Sequence, residues 1–185
     1  MWPCVATPDC RRHPGYAVPM TAPASLGNPT VEMAIRHALE QAGSPYRTVE
    51  HAPVDDARHA AALRGTPLAI GGKSLLMKAG KDFILVATSS AGRIDSRRLR
   101  AHLGVRRLRF ATRDELASLT GLVPGCVPPF GPPVLPFPLH ADRGLLSNAQ
   151  IAFTPGVRIR SFVMTSADWA RVATPFFGDF VTVPG

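Results

Sequence analysis

Lys73 opens the apolar run Lys73-Ser-Leu-Leu-Met-Lys78, and a cation at the start of a buried strand can face a phosphate or a carbonyl. The alternative for such a residue is a solvated lysine at a strand edge. Ser74 follows it. Alternation turns that hydroxyl to the opposite face, where it either meets a ligand or enters the core. The segment Thr120–Pro138, TGLVPGCVPPFGPPVLPFP, carries seven prolines between Pro124 and Pro138, punctuated by Gly121, Gly125 and Gly131. No helix or central strand tolerates that composition, so it is a stiffened loop. Its glycines allow close backbone approach to a ligand and its prolines lower the ordering cost. It reads equally as a binding wall or as a connector. Between Arg93 and Arg113 stand eight arginines against one acid, Asp95. Such a cluster is what a phosphate-binding surface requires, although 18 arginines against 3 lysines also mark an arginine-biased chain.

Other chemistries find no support. There is no G-x-S-x-G elbow, no H-E-x-x-H and no phosphate loop of the Walker type. Cys4, Cys10 and His13 match no closed zinc spacing, so no metal and no cofactor are expected. Cys126 lies inside the proline loop with no identifiable base and reads as a small inert residue. His51 and His140 sit at strand ends and read as structural histidines, His59 has no partner in the pattern, and His102 among arginines reads as solvated.

The elements that must position these residues begin near Thr30. The 185-residue chain has 45% hydrophobic and 18% charged residues and a net charge of +8, enough apolar content for one packed domain. Residues 1–28 hold five prolines and no periodicity and are expected to be a disordered extension, leaving residues 29–181 as the domain. No apolar run reaches the roughly 18 residues of a membrane span, the start is no secretory signal, and three cysteines suit a reducing compartment. The expected location is the cytoplasm. Thr30 is placed as the cap of a first helix ended by Gly43, and Asp55 as the cap of a second that runs to Arg64. A strand at 46–50 lies between them. The runs 73–78 and 83–88 form a hairpin of two central strands. A short helix over 95–103 turns its arginines to solvent and Leu99 and Leu103 inward, and 107–111 alternates as a strand. Thr112 and Glu115 form a capping box. Strands near 137–140, 151–154 and 158–164 precede a last helix, capped at Thr165 or Ser166, that carries Trp169. The irregular order predicts an α+β domain with a mixed, largely antiparallel sheet flanked by helices.

Gly121-x-x-x-Gly125-x-x-Pro128-Pro129-Phe130-Gly131, 48 residues after Lys73-Ser-Leu-Leu, resembles the YbaK/EbsC family of prolyl-tRNA-synthetase-associated editing domains. The resemblance runs from about Thr30 to Phe180 and takes in GGKSLLMKAG, IDSRRLRAHLG and IAFTPG…VMTSADW. It implies the same α+β fold and, in trans, hydrolysis of the ester that joins a wrong amino acid to tRNA. It further implies a catalytic Lys73, a substrate pocket shaped by Ser74, the 121–131 loop (Gly121, Gly125, Pro128, Pro129, Phe130, Gly131), Phe153 and Thr154, and no metal. Phe130 doubles as an anchor for the loop. An aminoacyl ester is already activated, so its hydrolysis needs a positioned water and oxyanion stabilisation more than a strong nucleophile.

Mischarged tRNA is then the partner, with a synthetase or elongation factor met in passing and neither membrane nor DNA expected. Arg97, Arg98, Arg100, Arg106, Arg107 and Arg109 are the expected phosphate contacts. Ser74 stands where some members have Asn, Phe153-Thr154-Pro155-Gly156 replaces FHP or FNAG, and Cys126 replaces a smaller residue. These departures leave the amino acid open, with a small side chain expected because synthetases reject near-isosteres poorly. A non-catalytic member binding RNA or an aminoacyl ligand is the second reading. DNA binding would need a helix-turn-helix or finger, and the sequence has neither.

Overall fold

The structure, a computed structural model, describes residues 26–54 and 56–182. The Thr30 region is helical from Pro29, and the cap is Asn28, whose side chain accepts from the Thr30 amide at 3.0 Å. Proline at the first helical position explains the shift: it lacks only an N–H that would be unpaired there, so the cap falls one residue before it. This helix, α1 (Pro29–Gln41), is followed by β1 (Tyr46–Glu50) and α2 (Ala57–Arg64). Asp56 caps α2, and Asp55 lies outside the described residues. Gly65, at φ 65°, closes α2 in the left-handed conformation.

The hairpin forms as expected from β2 (Gly72–Ala79) and β3 (Asp82–Ser89). Then come β4 (Arg93–Ile94), α3 (Ser96–Leu103), β5 (Leu108–Phe110) and α4 (Arg113–Thr120), the last with its complete capping box. Beyond the proline loop lie β6 (Leu139–Asp142), β7 (Gln150–Phe153), β8 (Arg160–Thr165), α5 (Ser166–Ala173), β9 (Phe176–Gly178) and β10 (Val181–Thr182). Thr165 caps α5.

Five strands form the main sheet in the order β5-β2-β3-β6-β9, antiparallel on one side and parallel where β6 joins β3 and β9. A second antiparallel sheet has the order β1-β8-β7, and β4 pairs with β10. The fold is therefore α+β with mixed, mostly antiparallel sheets. Both hairpin strands are central, and their two faces serve different cores. Leu76, Leu85 and Ala87 pack with Ile35, Phe130, Phe153, Phe162 and Trp169. Met77, Ala79, Ile84 and Val86 pack under Leu99 of α3 and Phe180. Burial on both faces explains why β2 and β3 read as nearly continuous apolar runs.

Two contacts bind the layers. Glu32, 4% exposed, meets Arg36 at 2.7 Å and Arg160 at 3.0 Å, so α1 is tied to β8 by a buried carboxylate with two guanidinium partners. Leu26, Gly27 and Asn28, grouped by composition with the extension, bond to 156–158: the Asn28 amide donates to Gly156 O at 2.8 Å and Arg158 donates to Leu26 O at 2.9 Å. No helix among the described residues is long and apolar enough to cross a membrane.

The proline loop is fixed from inside. Phe130 stacks near Phe153 with centroids 5.3 Å apart, and the buried Trp169 Nε1 donates to Pro129 O at 2.9 Å. Trp169→Phe strands that carbonyl, and its unmet hydrogen bond should lower stability by about 1–3 kcal/mol with an unchanged m-value. Urea unfolding of the two proteins checks this.

Candidate functional site

The site depends on how β2 starts. Gly71 forms a parallel bridge with Ala152, and a Cβ on Gly72 would lie 2.7 Å from Ile151 Cδ1, closer than packed carbons allow. Glycine at 72 thus lets the main sheet abut the end of β7. Gly71 O also accepts from the Ser90 amide at 2.6 Å, which draws the end of β3 to the same corner. The result is a cavity of about 210 Å³ between β2, α2, the proline loop and the end of β7.

Lys73, Ser74, Gly125, Phe153 and Thr154 all line it, so five residues proposed from sequence meet in one place. Gly125 has φ +88°, a conformation that side chains resist, and this turns the loop toward the cavity. Val127 joins the lining, and the other loop positions proposed from sequence lie outside it. Gly121 is the left-handed cap that ends α4. Pro129 and Phe130 hold the loop to the core, Pro128 is buried beside them, and Gly131 packs against Phe137 O and Leu139. Cys126 is fully buried with Sγ 3.8 Å from Leu26 O. Cys4, Cys10 and His13 lie outside the described residues.

Lys73 Nζ donates to Gly92 O at 2.8 Å. Burial, helped by the Arg93 charge, holds its amine below the ordinary lysine range. Ser74 Oγ is buried and has no hydrogen-bond partner among the described residues. Three further polar lining residues carried no functional signal in the sequence. Asp56 is exposed and Ser90 half-buried, and Arg64 at the end of α2 is 9% exposed. Spacing does relate Arg64 to the buried Ala60 one turn earlier, but residue type hid it, since an arginine at a helix end normally reads as a solvated cap. Asp56 Oδ1 accepts from the His59 and Arg58 amides, which hold its carboxyl below the usual range.

Three of the histidines have side-chain partners. His51 Nε2 lies 2.8 Å from Ser161 Oγ and Nδ1 lies 2.9 Å from Ala52 O. His102 is exposed as expected, yet its Nε2 is 3.1 Å from His140 Nδ1, and burial together with the neighbouring His102 lowers the His140 pKa.

The arginines form a separate surface. Arg100, Arg106, Arg107 and Arg109 share a groove with Lys78 and Gly80 at the far end of β2. Five residues of strand separate Lys78 from Lys73, a span of roughly 17 Å. Arg109 is held by two 2.7 Å bonds to Glu115, and that guanidinium with the Thr112 amide lowers the Glu115 pKa to about 2. Arg97 and Arg98 lie outside the groove on the first turn of α3, exposed, with Arg98 3.6 Å from Asp95.

The chain holds only three lysines, so side-chain ¹⁵N NMR can follow each. Lys73 should titrate below the ordinary lysine range. Arg93→Gln removes a like charge that disfavours the ammonium and should move the Lys73 midpoint upward.

Comparison with known proteins places this geometry. The family model of the aminoacyl-tRNA editing domain matches residues 51–172. The multifunctional Ser/Thr-tRNA deacylase ProXp-y of Escherichia coli K12 is 32% identical over 148 residues, 77% of this chain and 87% of that protein. A crystal structure described as a candidate trans-editing enzyme for prolyl-tRNA synthetase is 27% identical with a TM-score of 0.73, covering 84% of this chain and 98% of that one. The crystal structure of a hypothetical protein, 22% identical with a TM-score of 0.71 over 80% of this chain and 99% of its own, shares the fold. The match to the family model, together with the deacylase relative, shows that this chain belongs to the aminoacyl-tRNA editing domain family.

Proposed function

We propose that the protein is a trans-acting aminoacyl-tRNA deacylase that clears a small, wrongly attached amino acid, serine or threonine, from tRNA in the cytoplasm. The family and the deacylase relative support the hydrolase class and charged tRNA as its partner. One observation carries the assignment of the site: Lys73 and Gly125 face one small cavity that also holds Ser74, Phe153 and Thr154. Water attacks the ester carbonyl, the carbon–oxygen bond to the ribose breaks, and the proton passes to the departing ribose hydroxyl. Lys73 offers its ammonium to the negative charge that develops on the carbonyl oxygen, and the backbone around Gly125 adds N–H donors to the same charge. Such donors are worth roughly 10²–10³ in rate each.

The arginine groove serves the tRNA backbone. Arg100, Arg106 and Arg107 are the contacts with no ion pair among the described residues, Arg97 and Arg98 extend them along α3, and Arg109 contributes while held by Glu115. The distance from groove to cavity suits a strand whose aminoacylated end enters the cavity while phosphates a few nucleotides back meet the groove. A synthetase or elongation factor meets the enzyme only through the charged tRNA they share.

Single-turnover hydrolysis of seryl-, threonyl-, alanyl- and prolyl-tRNA tests the reading. Seryl or threonyl ester should be released, and Lys73→Ala should slow release by about 10²–10³-fold. Release of no ester by the wild-type protein, with tRNA binding retained, would instead indicate a binding member of the family. The triple change Arg100→Gln, Arg106→Gln, Arg107→Gln should weaken tRNA binding and reduce the logarithmic salt slope by about 2, leaving the rate at saturation unchanged.

A further inference from the structure

Arg64 is a cation inside the protein without a counterion among the described residues. Its side chain donates from Nη1 to Ser161 Oγ at 3.1 Å and from Nε to Thr66 Oγ1 at 3.3 Å. Neither acceptor is charged, and no carboxylate pairs with it among the described residues. A guanidinium has five donors and stays charged at physiological pH, so burial at 9% exposure without an anion is costly. Nη2 has no hydrogen-bond partner among the described residues, and Arg64 lines the cavity.

The group is also held in one orientation. His51 Nδ1 faces the Ala52 carbonyl, which can only accept, so in the neutral ring the proton sits there and Nε2 accepts from the Ser161 hydroxyl. Ser161 Oγ is then free to accept from Arg64. This directional chain fixes the Nε and Nη1 side of the guanidinium and leaves Nη2 unspent. Ser74 Oγ, on the same lining, is a second buried polar group with no hydrogen-bond partner among the described residues.

We propose that Arg64 is a specificity-determining residue: its Nη2 donates to an oxygen on the side chain of the bound aminoacyl group, so that seryl and threonyl groups are favoured over alanyl. The inference rests on the deacylase reading of this cavity. Phosphate is the poorer match for Arg64, because Ala60, Leu75, Val127 and Phe153 give the recess apolar walls that a phosphodiester would have to shed its water to enter. The recess is about 210 Å³, the scale of an aminoacyl group and not of a nucleotide chain. Exposed arginines for phosphates lie elsewhere, at the far end of β2.

The test uses non-hydrolysable 3′-amide analogues, seryl- and alanyl-aminoadenosine, titrated by calorimetry into wild type, Arg64→Met and Arg64→Lys. A hydrogen bond from a charged donor predicts seryl preference of roughly 10–100-fold in the wild type. Arg64→Met should bring the ratio near one while alanyl affinity changes little, and Arg64→Lys should restore part of the preference. A wild-type ratio near one, an unchanged ratio in Arg64→Met, or a parallel loss for both analogues at an unchanged melting temperature overturns the proposal. So does an Arg64→Lys protein that matches Arg64→Met in ratio while both remain folded. Because binding is read without turnover, a protein that prefers the seryl analogue but releases no ester would retain this inference and lose the deacylase reading.

Discussion

The approach of β2 to the end of β7 is the contact from which the site follows. Where Gly71 bridges Ala152, two sheets that share no strand are held edge to edge, and a side chain at 72 would collide with Ile151. Lys73 and Ser74 come directly after this point, and Phe153 and Thr154 come directly after it on the other strand. Without that junction the lysine would be one more residue near a strand end. With it, the lysine stands across a small recess from the proline loop. The loop is rigid for a related reason: Trp169 and Phe130 hold its middle in the core, so Gly125 is carried to the cavity by a fixed segment.

Charge is divided along one strand. The cavity end of β2 has two half-buried or buried cations, Lys73 and Arg64, among mostly apolar walls, where a charge interacts strongly with whatever enters. The far end carries exposed arginines, where single contacts are weaker and salt-screened but sum along a polyanion. Under the proposed function, this division suits a substrate that is itself an aminoacyl group on a polyanionic chain.

Much of this was legible in the sequence where local rules decide. The capping box at Thr112 and Glu115 and the hairpin of β2 and β3 each depend on residues within a few positions, and each forms. The first cap was displaced from Thr30 to Asn28 because proline at 29 fixes where the helix starts. Lys73, Ser74 and the loop that carries Gly125 were candidates by residue type, but Phe153 and Thr154, and the meeting of all five, were legible only through family resemblance; no periodicity relates a strand to a loop some fifty residues later. Arg64 escaped both routes. Its place in the cavity depends on Ser161 and His51, 97 and 13 residues away along the chain, and on a fold that buries the end of α2.

Amide chemical-shift mapping with the 3′-seryl-amide analogue on ¹⁵N-labelled protein is the most direct test that the β2–β7 recess is the site. The account predicts that the perturbed amides cluster at 54–60, 71–75, 125–127 and 152–154, with the groove at 106–109 unmoved by this ligand, which lacks the polynucleotide chain. Shifts confined to the arginine groove, or to any surface that leaves 71–75 and 152–154 unmoved, would contradict it.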